Sequence, residues 1–149
     1  MTEMRRLDIA GGVAGLRAAG DQARGFLGTD PVTQNDALLG SELTRIGAQV
    51  YGHGDTLLGY LPNVDQPRQA YLASTSSDPD ALRLFTAFLG TYQRCTSYVA
   101  TVPADSVAVG AFDACGFRRI GMLRDHQYRS GRYHDVVMFF ATGEDVCRS

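Results

Sequence analysis

Apolar residues recur along this chain with two different periods, and the switches between them mark its elements. Arg5 to Ile9 predicts a short first strand. Ala10 to Leu27 places Val13, Leu16, Ala19, Ala23, Phe26 and Leu27 at helical spacing. Its interior glycines weaken a helix, so two short helices broken near Gly20 are expected. Asp30-Pro31 has the form of a helix start, with Asp as cap and Pro in the first turn, and Leu38, Leu39, Leu43 and Ile46 form one stripe behind it.

Ala48 to Tyr51 and Thr56 to Leu61 then read as a strand pair turned at His53-Gly54-Asp55, with Gln69 to Ala73 as a third strand. Asp78-Pro79 repeats the helix-start signal. Leu82, Phe85, Phe88, Leu89 and Tyr92 follow at helical spacing and make the strongest helix of the chain. Ser97 to Val102 is a strand. Asp105 is placed to cap a helix with Ala108, Ala111, Phe112 and Cys115 on one face. Gly116 suits a left-handed helix end with Phe117 packing back. Arg119 to Tyr128 and Tyr133 to Ala141 are two long strands joined at Ser130-Gly131, and the residues after Thr142 read as a tail. The order is a strand, helices, then β-β-β-α-β-α-β-β. That order predicts one domain over residues 1–149, an α/β sheet covered by helices.

Composition narrows the chemistry. With 14 basic and 16 acidic residues the net charge is -2, so the whole chain has no general attraction to nucleic acid. Every basic residue other than the histidines is Arg, which excludes a Schiff-base lysine and a P-loop lysine. Cys95, Cys115 and Cys147 are odd in number and widely spaced, the pattern of reduced thiols in a cytoplasmic protein. No run approaches the ~20 apolar residues of a membrane helix, and no signal peptide is expected at the N-terminus.

The stretch Ala111-Phe112-Asp113-Ala114-Cys115-Gly116-Phe117 resembles the helix ending in Gly-Phe of GNAT (Gcn5-related N-acetyltransferase) proteins. Gly121 to His126 and Tyr128 to Met138 are similar to the final hairpin of many such proteins, and Asp30-Pro31-Val32 with Asn35 and Leu38-Leu39-Gly40 to the start of their acceptor side. The element order agrees along nearly the whole chain. The resemblance implies an α/β (α+β) fold with a bent, mostly antiparallel mixed sheet, flanked by helices, whose two central strands splay apart. Those strands would be Gln69–Ala73 and Ser97–Val102. Acyl-CoA, or another pantetheine thioester, would lie in the splay as co-substrate, and the amine of a small molecule would attack the thioester directly. A backbone N–H would hold the oxyanion. Ala73, Ser74, Thr75, Ser76, Ser77 and Ala81 would line the donor.

Two places depart from the family pattern. The family's Gly-rich pyrophosphate loop is here Ser74-Thr75-Ser76-Ser77-Asp78-Pro79-Asp80-Ala81, without glycine and with an N–H missing at Pro79. Asp78 and Asp80 would repel phosphate, and Asp78 reads more simply as a helix cap. The loop therefore implies weak CoA binding, or a donor held by its pantetheine arm on an acyl carrier protein. Binding of a small ligand without turnover is the rival reading, and an aminoacyl-tRNA donor is a more distant alternative. The Tyr that often protonates the leaving thiolate is here Phe112, and the Asn that often stands seven residues earlier is Asp105.

For the proton, His126 is the best base by its ordinary pKa, and it alternates with Arg124 and Tyr128 along one strand. Tyr71 and Tyr98 lie on the strands expected to splay, where a hydroxyl could stand in for the missing Tyr. More often such a residue is core with a satisfied OH. Glu42 and Asn35, with Arg124, are candidates for binding the acceptor amine, although Glu42 equally fits a solvated helix face. Asp135 is expected to anchor the hairpin. Cys115 reads as helix packing rather than a nucleophile. Tyr51-Gly52-His53-Gly54-Asp55 is a poor ligand set and reads as a turn, so no metal is expected. A second copy of the chain is a further partner, since many proteins of the family dimerise.

Overall fold

The computed structural model describes residues 3–147. One sheet of seven strands runs through it: β1 (Arg5–Leu7), β2 (Gln49–His53), β3 (Thr56–Pro62), β4 (Gln69–Ser74), β5 (Ser97–Pro103), β6 (Arg118–Arg129) and β7 (Arg132–Thr142). Their spatial order is β1-β2-β3-β4-β5-β7-β6. Every neighbouring pair is antiparallel except β4 and β5, which are parallel. The α/β class and the mostly antiparallel mixed sheet are as expected.

Helices cover both faces. On one face α1 (Ile9–Ala19) and α2 (Asp36–Ile46) bury Val13, Leu16, Leu39 and Leu43 with Val50 and Ala73. On the other, α3 (Pro79–Tyr92), α4 (Ala108–Ala114) and α5 (Gly143–Cys147) close over a larger core that includes Leu58, Leu72, Phe85, Tyr98, Phe112 and Phe139. The alternation of β4 explains the division: Ala70 and Leu72 face one core, and Ala73 faces the other. No helix among the described residues is long and apolar enough to cross a membrane.

Local chemistry sets most boundaries. Asp8 accepts a bond from the Gly11 N–H at 2.7 Å and starts α1. Gly20, at φ 62°, ends it, and two 3₁₀ turns follow, Gly20–Ala23 and Phe26–Gly28. The break near Gly20 is thus as expected. Asp78 caps α3 through the Asp80 N–H at 2.9 Å. Gly116 takes φ 86°, and Phe117 packs edge-on to Phe112 with ring centroids 4.9 Å apart. Ser130 and Gly131 both have positive φ, the requirement of the tight turn that joins β6 to β7.

Three local expectations are corrected. Asp30-Pro31 does not open α2. Residues 31–34 form a separate turn, in which the Asp30 carbonyl accepts from the Thr33 and Gln34 amides, and Asn35 caps the helix through the Leu38 N–H at 2.8 Å. Arg17 holds that turn by donating to the carbonyls of Pro31 and Gln34 and pairing with Asp36. Asp105 does not cap α4. The Ser106 hydroxyl accepts from the Ala108 N–H instead, because Asp105 is occupied by Arg129. The segment after Thr142 is not a tail but α5, started by a reciprocal cap: Thr142 N–H donates to Asp145, and Asp145 N–H donates to the Thr142 hydroxyl.

Candidate functional site

The parallel β4–β5 pair holds together over three rungs only: Gln69 with Ser97, Ala70 with Tyr98, and Tyr71 with Val99. Beyond them β4 continues against β3, with Leu72, Ala73 and Ser74 opposite Tyr60, Gly59 and Leu58. β5 continues against β7, with Ala100 to Pro103 opposite Phe139 to Val136. The two strands therefore part as they run toward their C-terminal ends. The β4 edge from Leu72 to Ser74 has no ladder partner on the β5 side, and an extended amide-bearing ligand could pair with it.

The mouth of this splay is narrow. It is lined by Ala73 and Ser74 on one strand and by Thr101, Val102 and Pro103 on the other, and Arg24, Gly25 and Phe26 reach into it, leaving about 10 Å³ free. Gly25 is needed here: at φ 77° a Cβ would stand 3.3 Å from Pro103 Cγ and 2.9 Å from the Gln127 amide.

The loop from β4 into α3 is closed on itself. The Thr75 N–H donates to the Leu57 carbonyl, and the Thr75 hydroxyl accepts from the Leu57 N–H at 3.0 Å. The Ser76 N–H donates to the Ser74 hydroxyl, and the Asp78 N–H to the Ser76 hydroxyl, which also bonds Thr56 at 2.7 Å. Asp80 gives its N–H to Asp78 and its carboxylate to Arg83. Ser77 is exposed, and Ala81 is buried in the core. Of the six residues expected at the donor, Ala73 and Ser74 line the splay. Thr75 and Ser76 brace the loop.

The expected proton carriers are scattered. Tyr98 is 1% exposed and donates its hydroxyl to the Thr86 carbonyl at 2.9 Å. Tyr71 stands on the last rung before the strands part and is 38% exposed. His126 lies in a bulge of β6 between Leu123 and Gln127, held where the Asp125 N–H donates to Asp135 at 2.9 Å. The bulge interrupts the alternation that would put Arg124, His126 and Tyr128 on one face; all three are exposed, and Tyr128 packs edge-on to Tyr133. Asp135 thus anchors the hairpin through backbone, as expected. Phe112 is fully buried, between Phe117 and Phe139.

The acceptor candidates are also occupied. Asn35 is the cap of α2, and Glu42 is paired with Arg45 at 2.6 Å on the same helix. The Cys115 thiol is buried and donates to the Pro79 carbonyl. Burial above all, with Asp80 and Asp78 adding to it and Arg83 opposing, pushes that thiol up to about 11. It is a protonated packing group, not a nucleophile. Among the described residues no group of three or more His, Cys, Asp or Glu side chains could hold a metal ion.

Sequence reasoning missed a cluster beside the splay. Arg129, at the hairpin tip, pairs with Asp105, and His134 Nδ1 lies 3.7 Å from the same carboxylate. Burial raises the Asp105 pKa, but the Arg129 hydrogen bond and charge, a backbone bond and His134 together hold it below its ordinary value. Arg24, just after the first 3₁₀ turn, faces the same space. Nothing local in the sequence joins Arg24 to Arg129; only the fold does.

No protein-family model matches the chain, and no curated protein sequence matches it. Solved structures do. A spermidine N-acetyltransferase from Vibrio cholerae, in complex with CoA and spermine, superposes with a TM-score of 0.73 at 14% identity, covering 98% of each chain. A mutant form of the spermidine/spermine N-acetyltransferase SpeG of Vibrio cholerae gives 0.69 at 14% identity over 99% of this chain and 98% of that one. The same enzyme with manganese ions gives 0.65 at 16% identity, over 99% and 95%. The likeness runs from end to end, and the parted β4–β5 pair is where the expected splay should be: the chain has the GNAT fold.

Proposed function

We propose that this protein is an N-acyltransferase that moves an acyl group, acetyl in the first instance, from a CoA thioester to the amine of a small molecule. The observation that carries the reading is the β4–β5 pair that parts after Tyr71 and Val99, in a fold whose similar solved members include one bound to CoA and an amine. The amine nitrogen attacks the thioester carbonyl, the C–N bond forms, and the C–S bond breaks. The thiolate leaves, and the amine's extra proton goes to solvent or a base. A thiol of ordinary pKa ~8.5 is a fair leaving group, so the chemistry does not need a buried acid at Phe112.

The site suits the two ends of the donor unequally. The open β4 edge fits the amide-bearing pantetheine arm. The loop amides at Thr75, Ser76, Asp78 and Asp80 are already bonded, and two carboxylates stand at the start of α3, so the pyrophosphate gains little there. The donor also has to displace Gly25 and Phe26 from the splay mouth. Tyr71 stands at the rung where the strands part, and its phenol is assigned the proton for the leaving sulfur; His126, on the β6 bulge, is not given that part. The free, buried thiols Cys95 and Cys115 suit a cytosolic protein.

The test is calorimetric titration with acetyl-CoA and with acetyl-pantetheine, followed by thiol release over a panel of amines. Binding of both donors within about tenfold of each other, and amine-dependent thiol release, is the expected result. Binding of neither donor, with no thiol release, overturns the reading. Transfer only from a carrier-bound thioester would move the donor assignment to an acyl carrier protein.

A further inference from the structure

Beside the splay lies a second, polar cavity of about 240 Å³, lined by the first 3₁₀ turn and the residue that follows it (Asp21, Gln22, Arg24), the link from β5 to α4 (Pro103, Asp105, Ser106) and the hairpin tip (Arg129, Ser130). Gln22, Arg24, Pro103 and Ser106 line the splay mouth as well, so the two spaces share a wall. The two arginines are nearly buried, with side chains 13% and 14% exposed. The Nε of each is buried and has no hydrogen-bond partner.

Formal charge in the cavity cancels, since Asp21 and Asp105 face it too. The arrangement does not cancel. Asp21 is 84% exposed and Asp105 53%, so water screens both carboxylates, while the guanidiniums lie inside. Asp21 approaches Arg24 Nε to 3.4 Å without making a hydrogen bond, and Asp105 takes only Nη2 of Arg129. A buried cationic donor left without an acceptor is costly, and an oxyanion is the group that the guanidinium fork fits best.

We propose that this cavity holds an anionic group, a carboxylate or a phosphate, of the acceptor amine, with Arg24 and Arg129 as its ligands. The proposal rests on the acyl-transfer reading and names the acceptor class within it. The shared wall would set the amine of such a molecule toward the splay while its anion stays on the arginines. A polycation such as spermine, which the similar Vibrio cholerae enzyme binds, would instead meet two buried positive charges.

The experiment compares amines that differ only in the anion: 4-aminobutyrate against butylamine, O-phosphoethanolamine against ethanolamine, and spermidine alone, all with acetyl-CoA. At least one anionic member is expected to exceed its neutral partner tenfold or more in kcat/KM, and the better pair tells carboxylate from phosphate. Arg24→Met should shrink that preference to within about twofold, and Arg24→Lys should restore part of it. Arg129→Met is the second variant, read with its thermal melt because it also frees the hairpin tip. Neutral amines or spermidine used as well as the anionic ones would overturn the proposal. So would an Arg24→Met variant that raises the KM for acetyl-CoA instead, since the arginine would then serve the donor. Calorimetry with 4-aminobutyrate and O-phosphoethanolamine alone separates the two readings. Binding that Arg24→Met abolishes, without transfer to any amine, keeps the anion site and sinks the transferase. Acetylation of spermidine without such binding sinks the anion site only.

Discussion

The ring of Phe26 lies where Gly59 has no side chain: a Cβ built on Gly59 would stand 2.7 Å from Cζ and 2.8 Å from Cε1 of that ring. Phe26 is 3% exposed, and with Gly25 it closes the mouth of the splay. One missing methyl on β3 thus seats the segment that fills the donor's path. Gly59→Ala should displace the ring and destabilise the protein by about 1–3 kcal/mol, the usual cost of overpacking. A thermal melt checks this: a midpoint lowered by several degrees is expected, and an unchanged one would mean that the ring is not seated there.

At the start of α3 the cap and the charge can be separated. Asn caps a helix about as well as Asp, so Asp78→Asn should keep the bond to the Asp80 N–H and remove one negative charge from the phosphate approach. Charge at a helix N-terminus is worth about 0.3–1 kcal/mol, so acetyl-CoA affinity should rise about two- to fivefold, with affinity for acetyl-pantetheine unchanged. Equal effects on both donors would place the pyrophosphate elsewhere.

Tyr98 and Tyr71 make opposite predictions. The Tyr98 hydroxyl is spent on the Thr86 carbonyl in the core. Tyr98→Phe should cost about 1 kcal/mol of stability and leave kcat as it was. Tyr71→Phe should leave the melt alone and lower kcat by less than about tenfold, given the thiol's modest need of an acid. Denaturant titration beside steady-state rates distinguishes the two, and a Tyr98→Phe enzyme that folds normally but turns over far more slowly would reverse the assignment.

Cys115 should make the fold sensitive to alkali. Its thiol is pushed from 9.0 to about 11, first by burial. The native state therefore keeps a proton that the unfolded chain loses, so this contribution to stability is whole below pH 9 and disappears as pH rises through 11. Denaturant midpoints should fall between pH 8 and pH 10.5, and less in Cys115→Ala than in the parent. Burial raises the Cys95 thiol too, so the difference between the two proteins, rather than the fall itself, reports on Cys115. Native Cys115 should also resist alkylation at pH 8; rapid modification there would contradict its burial.

The sequence by itself determined the order of elements, because the signals are local. α3 is legible in Leu82, Phe85 and Leu89 at helical spacing behind an Asp-Pro cap, and the last hairpin in two long strands around Ser130-Gly131, where the turn needs positive φ. Local signals also misled. Asp30-Pro31 and Asp78-Pro79 look alike, but Arg17 ties the first into a separate turn, and no window of neighbours contains that contact. Thr142 and Asp145 did carry a readable capping pair, in too short a segment to stand out.

Tertiary structure alone decided the site. The bulge around Asp125 breaks the alternation of Arg124, His126 and Tyr128, and Asp135 on the neighbouring strand is what holds it. The splay lies where the β4–β5 ladder stops after Tyr71 and Val99 while β3 and β7 go on pairing along the outer sides of the two strands. Arg24 and Arg129 share a cavity only once the sheet brings the 3₁₀ turn and the hairpin tip together. Periodicity reports which face of an element is buried; what that face meets depends on contacts between distant parts of the chain, and those form only when the whole fold closes.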